Sequence, residues 1–128
     1  MISSHALINL EIHEGASFYQ EFTWAVGTPP APVDLTGMTG RLQARDSIED
    51  LTPVFDLSTE TGGIVILAPP TLGGYAISIP ASTTKGKCPA HEKRILVYDL
   101  FLFSDGGNSA GLQQKGRITI NPAVTRIP

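Results

Sequence analysis

Apolar and polar residues alternate at every second position along most of this chain, and no stretch of ten or more residues carries a helical stripe. From His5 to Glu14 the even positions Ala6, Ile8, Leu10 and Ile12 are apolar, while His5, Asn9, Glu11 and His13 fall on the other side. A period of two predicts a half-buried strand. Gly15 interrupts it, and Phe18, Gln20, Phe22 and Trp24 then share one parity against Tyr19 and Thr23, which predicts a second, aromatic-rich strand. The run Thr28-Pro29-Pro30-Ala31-Pro32 lacks ladder donors and is expected in a loop or at an exposed edge. Met38, Gly40, Leu42 and Ala44 follow as an inward set against Thr39, Arg41, Gln43 and Arg45 outward.

Asp46 to Thr52 is polar and turn-like, and Pro53 to Leu57 predicts a short strand that ends at the Gly62-Gly63 turn. Ile64 to Leu67 is continuously apolar until Pro69-Pro70 stops it, and Tyr75, Ile77 and Ile79 resume the period of two. Pro80 to Thr84 has room for one helical turn, with proline where a first turn tolerates it. Ile95 to Phe103 is apolar on both parities, which predicts a central strand covered on both faces. Asp105-Gly106-Gly107-Asn108 predicts a hairpin turn, with Leu112 to Ile120 returning as the last strand. About eight short strands with turn signals between them predict an all-β, antiparallel β-sandwich or barrel. Residues 1–14 are expected to form an N-terminal strand or arm, and residues 15–128 a single β-sandwich domain. As a terminal strand with an apolar face, the first segment offers Ile8, Leu10 and Ile12 as interaction candidates.

Composition narrows the function classes. With 41% hydrophobic and 16% charged residues, the chain has a globular balance rather than a disordered one. None of its apolar runs reaches the length of a membrane span, so no membrane partner is expected. A net charge of -3 with dispersed basic residues gives no electrostatic reason to expect nucleic acid. The mild cluster Lys85, Lys87, Lys93 and Arg94 contains Glu92 and no interleaved aromatics, so it reads as a solvated loop. The N-terminal Met1-Ile2-Ser3-Ser4-His5-Ala6 has no signal-peptide pattern, and the single Cys88 leaves no internal disulfide to form. Folding in a reducing cytosol is the expectation.

Candidate chemistry is sparse, and neither an enzyme activity nor a cofactor is expected. Glu11 and His13 share a strand face, where His5 or Glu14 could add a third metal ligand, but alternation alone accounts for polar residues there. Cys88 and His91 lie three apart near Lys85 and Lys87 without a third catalytic group. Asp99, inside Val97-Tyr98-Asp99-Leu100-Phe101, is expected to be buried and structurally paired with an arginine such as Arg41 or Arg117. The glycine-rich turn at 105–108 lacks the ending of a phosphate loop. Phe18, Tyr19, Phe22 and Trp24 are the aromatics that could stack on a sugar, although some must supply core area.

Four segments carry a family resemblance: Pro32-Val33-Asp34-Leu35-Thr36-Gly37 continuing to Arg45, Gly73-Gly74-Tyr75 continuing to Pro80-Ala81, Val97-Tyr98-Asp99-Leu100, and Gly116-Arg117-Ile118-Thr119-Ile120. Together they resemble small structural proteins of tailed bacteriophages over residues 15 to 126. The basic loop from Lys85 to Lys93 departs from that pattern. The resemblance implies an Ig-like or related β-sandwich and a non-enzymatic virion protein of the tail, neck or baseplate. Capsid decoration is the runner-up role, and a carbohydrate-binding adhesin domain presenting Trp24 is the alternative from a different class. It further implies other virion proteins as partners, a homo-oligomer or symmetric multi-copy arrangement, and location in the virion after synthesis in the bacterial host cytoplasm.

Overall fold

The structure is a computed structural model that describes residues 6–104 and 109–125. Its elements are β1 (Ala6–Leu7), β2 (Leu10–His13), β3 (Phe18–Thr23), β4 (Ala25–Val26), β5 (Ala31–Pro32), β6 (Thr39–Arg45), β7 (Phe55–Ser58), β8 (Ile64–Ile66), β9 (Gly74–Ile79), β10 (Arg94–Ser104) and β11 (Ser109–Asn121). A 3-10 turn at Pro70–Leu72 and one helical turn, α1 (Ala81–Thr84), are the helical pieces among the described residues. The protein is therefore mostly β with several sheets.

The largest sheet runs β1-β11-β10-β6-β7, with β2 also on β11. A second sheet is ordered β3-β9-β8, and β4 pairs β5 within the proline-rich stretch. The period-two reading of β6 holds: Gly40, Leu42 and Ala44 are buried, whereas Thr39 and Arg41 are exposed. Buried residues of both larger sheets join one core, in which Leu42, Leu96, Leu100, Ile118 and Ile120 meet Ile64, Tyr75, Ile77 and Ile79. The helical turn at 81–84 forms as expected, and Thr84 is buried at its end. The expected hairpin at 105–108 lies outside the described residues, although β10 and β11 pair up to Ser104 opposite Ser109.

Two expectations are corrected. The large sheet is mixed, because β1 and β2 pair with β11 in parallel. A strand of either direction can bury this apolar parity, and Leu10 and Ile12 are both in the core, so alternation alone left the direction open. Second, β10 is covered on one face only: Leu96, Tyr98, Leu100 and Leu102 are buried, Ile95 and Asp99 are exposed, and Val97, Phe101 and Phe103 are intermediate. The last strand, β11, forms as expected but carries an irregularity. Its register against β10 shifts between Leu100 and Phe101, so that Leu100 faces Gln114 and Phe101 faces Leu112. The extra residue is Gln113, and this bulge brings both Gln113 and Gln114 into buried positions while turning Leu112 outward with Phe101.

Between β1 and β2 the N-terminal chain approaches β11 closely at Gly116. A Cβ there would lie 2.2 Å from the Ile8 carbonyl oxygen and 2.9 Å from Asn9 Oδ1. The approach is held by the Asn9 side chain, which accepts the Arg117 amide at 3.0 Å, and by the Ile8 amide donating to the Lys115 carbonyl at 2.9 Å. Gly116→Ala is expected to destabilise the fold by about 1–3 kcal/mol, since backbone rather than a flexible side chain must move. A urea denaturation midpoint that does not shift would refute this reading of the crossing.

Candidate functional site

The polar side chains inside the fold are consumed by its own backbone and by one another. Tyr75 on β9 donates to Gln114 Oε1 at 2.5 Å, Gln114 Nε2 donates to the Tyr98 hydroxyl at 2.9 Å, and Tyr98 donates to the Ile8 carbonyl at 2.7 Å. This chain ties the second sheet to β11, β10 and the N-terminal segment. Burial pushes the Tyr75 hydroxyl up to about 12 and raises that of Tyr98 as well.

A second set of polar contacts fastens the chain ends. The Glu14 carboxylate accepts the amides of Cys88 and Ala123 at 2.9 and 3.0 Å. Thr84 Oγ1 accepts the Gly15 amide and donates to the Ala16 carbonyl. Cys88 is buried with Sγ near the Ile120 carbonyl, and burial followed by the Glu14 charge raises its pKa, which disfavours the thiolate. Cys88 is thus a core residue of the 85–93 loop, whose His91 has a left-handed φ of 58° and donates its amide to the Cys88 carbonyl. In the basic cluster, Arg94 grips Asp46 with two hydrogen bonds of 2.9 and 2.7 Å, and Lys87 lies over the Phe55 ring. Among the described residues no group of three or more His, Cys, Asp or Glu is placed to hold a metal ion. His5 lies outside them.

The outer face of the large sheet is different. Its rows cross the strands as Arg45–Val97–Arg117, Gln43–Asp99–Lys115 and Arg41–Phe101–Leu112. Phe101 and Phe103 stack on this face with ring centres 6.3 Å apart. A groove of about 740 Å³ lies over the first two rows and is lined by Leu7, Gln43, Arg45, Ile48, Asp99, Lys115 and others. A smaller hollow of about 400 Å³ beside it includes Arg41, Asp56, Glu60 and Phe103.

The structure places the expected site residues differently from the sequence reading. Asp99 is exposed on the groove floor rather than buried, because its parity on β10 is the outward one. Partial desolvation in the groove raises its carboxyl pKa, and Arg45 and Lys115 oppose that rise. Arg41 is bound not to Asp99 but to Asp56 on β7, by hydrogen bonds of 3.1 and 2.8 Å. Leu10 and Ile12 are core residues without free surface, and Ile8 and Trp24 are partly buried against that core. What the sequence reading missed is the groove itself. The polar residues in the outward parity of β6, β10 and β11 were the available signal, but the β11 bulge hid which residues face together. No known family model and no curated protein matches this chain.

Two outcomes follow. Tyr75→Phe should cost about 1–3 kcal/mol near neutral pH by stranding the buried Gln114 oxygen. Because the folded pKa of Tyr75 is raised, its stability contribution is complete below the unfolded value near 10 and is lost as pH rises from there to about 12. The variant should therefore lose less stability than the parent over that alkaline window in urea titrations. Asp99→Ala should change stability by no more than about 0.5 kcal/mol, as for an exposed residue without a close partner. A loss of several kcal/mol would show that Asp99 is structural after all.

Proposed function

We propose that this protein is a non-enzymatic structural component of a tailed-phage particle, present in multiple copies in the tail, neck or baseplate, and that its two larger sheets pack as an Ig-like β-sandwich. The observation that carries the reading is the division of labour among its polar residues. The inner ones, Gln114, Tyr75, Tyr98, Thr84 and Glu14, bond within the chain, while large apolar and charged side chains gather on the outer face of one sheet. A solvent-side sheet face that carries Leu7, Val97, Phe101, Phe103 and Leu112 suits protein contact. The resemblance of the 32–45, 73–81, 97–100 and 116–120 segments to phage structural proteins supplies the particle. Repetition of a modest interface by symmetry gives such an assembly its stability.

A glycan-reading adhesin would need an open aromatic platform, and Trp24 instead packs one side on the core, with its amide donating to the Gly73 carbonyl. Quantitative mass spectrometry of purified particles of the encoding phage tests the proposal. The expected result is a fixed copy number that matches a ring or shell symmetry. Absence of the protein from particles would overturn it.

A further inference from the structure

The groove on the large sheet concentrates positive charge on an acidic protein. Its floor crosses three strands, with Arg45 on β6, Val97 and Asp99 on β10, and Lys115 and Arg117 on β11. Leu7, 75% exposed, pairs with Lys115 and forms the wall beyond β11, while Ile48, 83% exposed, lines the groove from the loop after β6. Leu112 lies beyond Lys115 past the bulge. Three cations against one carboxylate, Asp99, leave these lining residues at +2, so the rest of a chain of net charge -3 carries -5.

The two β11 cations are unanswered. Among the described residues, the side chains of Lys115 and Arg117 form no ion pair or hydrogen bond, and both are exposed. The Arg45 guanidinium donates to neutral oxygens, the Asp50 carbonyl and the Gln43 amide. The loop that carries Ile48 does not neutralise the groove with its own carboxylates. Asp46 is bound to Arg94, the Asp50 carboxylate accepts the Ser47 amide, and neither lines the groove.

We propose that this groove docks an extended acidic segment of a different protein, with carboxylates two residues apart on Lys115 and Arg117 and an apolar side chain towards Leu112. The spacing carries the match. Side chains on one face of an extended chain repeat every second residue, at about 6.6 Å, which is also the interval between Lys115 and Arg117 along β11. A guanidinium and an ammonium that lack partners take carboxylates through charge-assisted hydrogen bonds, and Leu7, Ile48 and Val97 offer apolar cover beside them. At about 740 Å³ the groove has the size of a ligand cleft. A second copy of this face is a poor occupant, because its own excess of cations would meet these. Nucleic acid is disfavoured as well. Tyr98, the aromatic among the lining residues, is buried and cannot stack on a base, and the negative remainder of the chain repels a long polyanion.

This docking deepens the assembly reading and rests on it only for the partner's being a particle protein. The probe is the peptide acetyl-Ser-Asp-Ser-Glu-Ser-Leu-Ser-amide, titrated into the full chain at low salt and followed by the amide shifts in proton–nitrogen NMR spectra. Amides of β6, β10 and β11 around the groove should move and saturate, with a dissociation constant on the order of 1 mM or below. Replacing the peptide's Asp and Glu by Asn and Gln should weaken binding at least about tenfold, as should Lys115→Glu/Arg117→Glu, whose spectrum outside the groove should be retained. Asp99→Ala should tighten binding about two- to fivefold, since it removes the like charge from the floor. A peptide that moves no groove amide, a charge-reversed variant or neutral peptide that binds like the parent pair, or an Asp99→Ala variant that binds no tighter would overturn the proposal. So would a short single-stranded DNA that moves the same amides at lower concentration than the peptide. Peptide binding by a protein absent from particles would remove the assembly reading and keep the docking site; a particle protein whose groove takes no peptide would do the opposite.

Discussion

A buried amide has to find partners, and in this protein the partners of Gln114 hold the architecture together. Its oxygen takes the Tyr75 hydroxyl from the second sheet, and its nitrogen reaches the Tyr98 hydroxyl on β10, which in turn bonds the Ile8 carbonyl. Each member is desolvated, so any arrangement that lost one partner would leave another stranded. The chain therefore selects a single relative placement of β9, β10, β11 and the N-terminal segment from those that apolar packing alone would tolerate. The bulge that brings Gln113 and Gln114 into the interior is part of the same solution, since it delivers the amide to the inner row beside Leu100.

The same economy acts at the chain ends. Glu14 binds amides at Cys88 and Ala123, and Thr84 binds Gly15 and Ala16, so segments far apart in sequence close one end of the core with charge-assisted or hydroxyl bonds. Cys88 and the basic loop thereby acquire a structural account. The residues with the most nucleophilic promise in the sequence are held where a thiolate is disfavoured and a carboxylate is already occupied.

Once the interior and the termini have claimed their polar groups, the outer face of the large sheet keeps unspent chemistry. Arg41 is answered by Asp56 and Arg94 by Asp46, whereas Lys115 and Arg117 meet no close carboxylate among the described residues. Exposed ion pairs add little to folding, so the arrangement of charge on this face matters more for which surface can approach it than for stability. The buried core and the proposed contact surface thus lie on opposite faces of the same strands.

Period-two alternation was enough to read the all-β character, the inward parity of β6 and the short turn at 81–84, because those features depend on local side-chain order and turn chemistry alone. It also found the strands β10 and β11, but not what covers them. Whether an apolar parity faces a core or solvent depends on which sheet packs above it, and so Val97, Phe101 and Phe103 looked interior and Asp99 looked buried. The parallel entry of β1 and β2, the destination of Leu10 and Ile12, and the Arg41–Asp56 pair are long-range choices between strands, to which the order of residues within any one strand is indifferent. The groove belongs to this second class: its two walls come from residues some seventy positions apart, brought face to face only because β10 lies between β6 and β11.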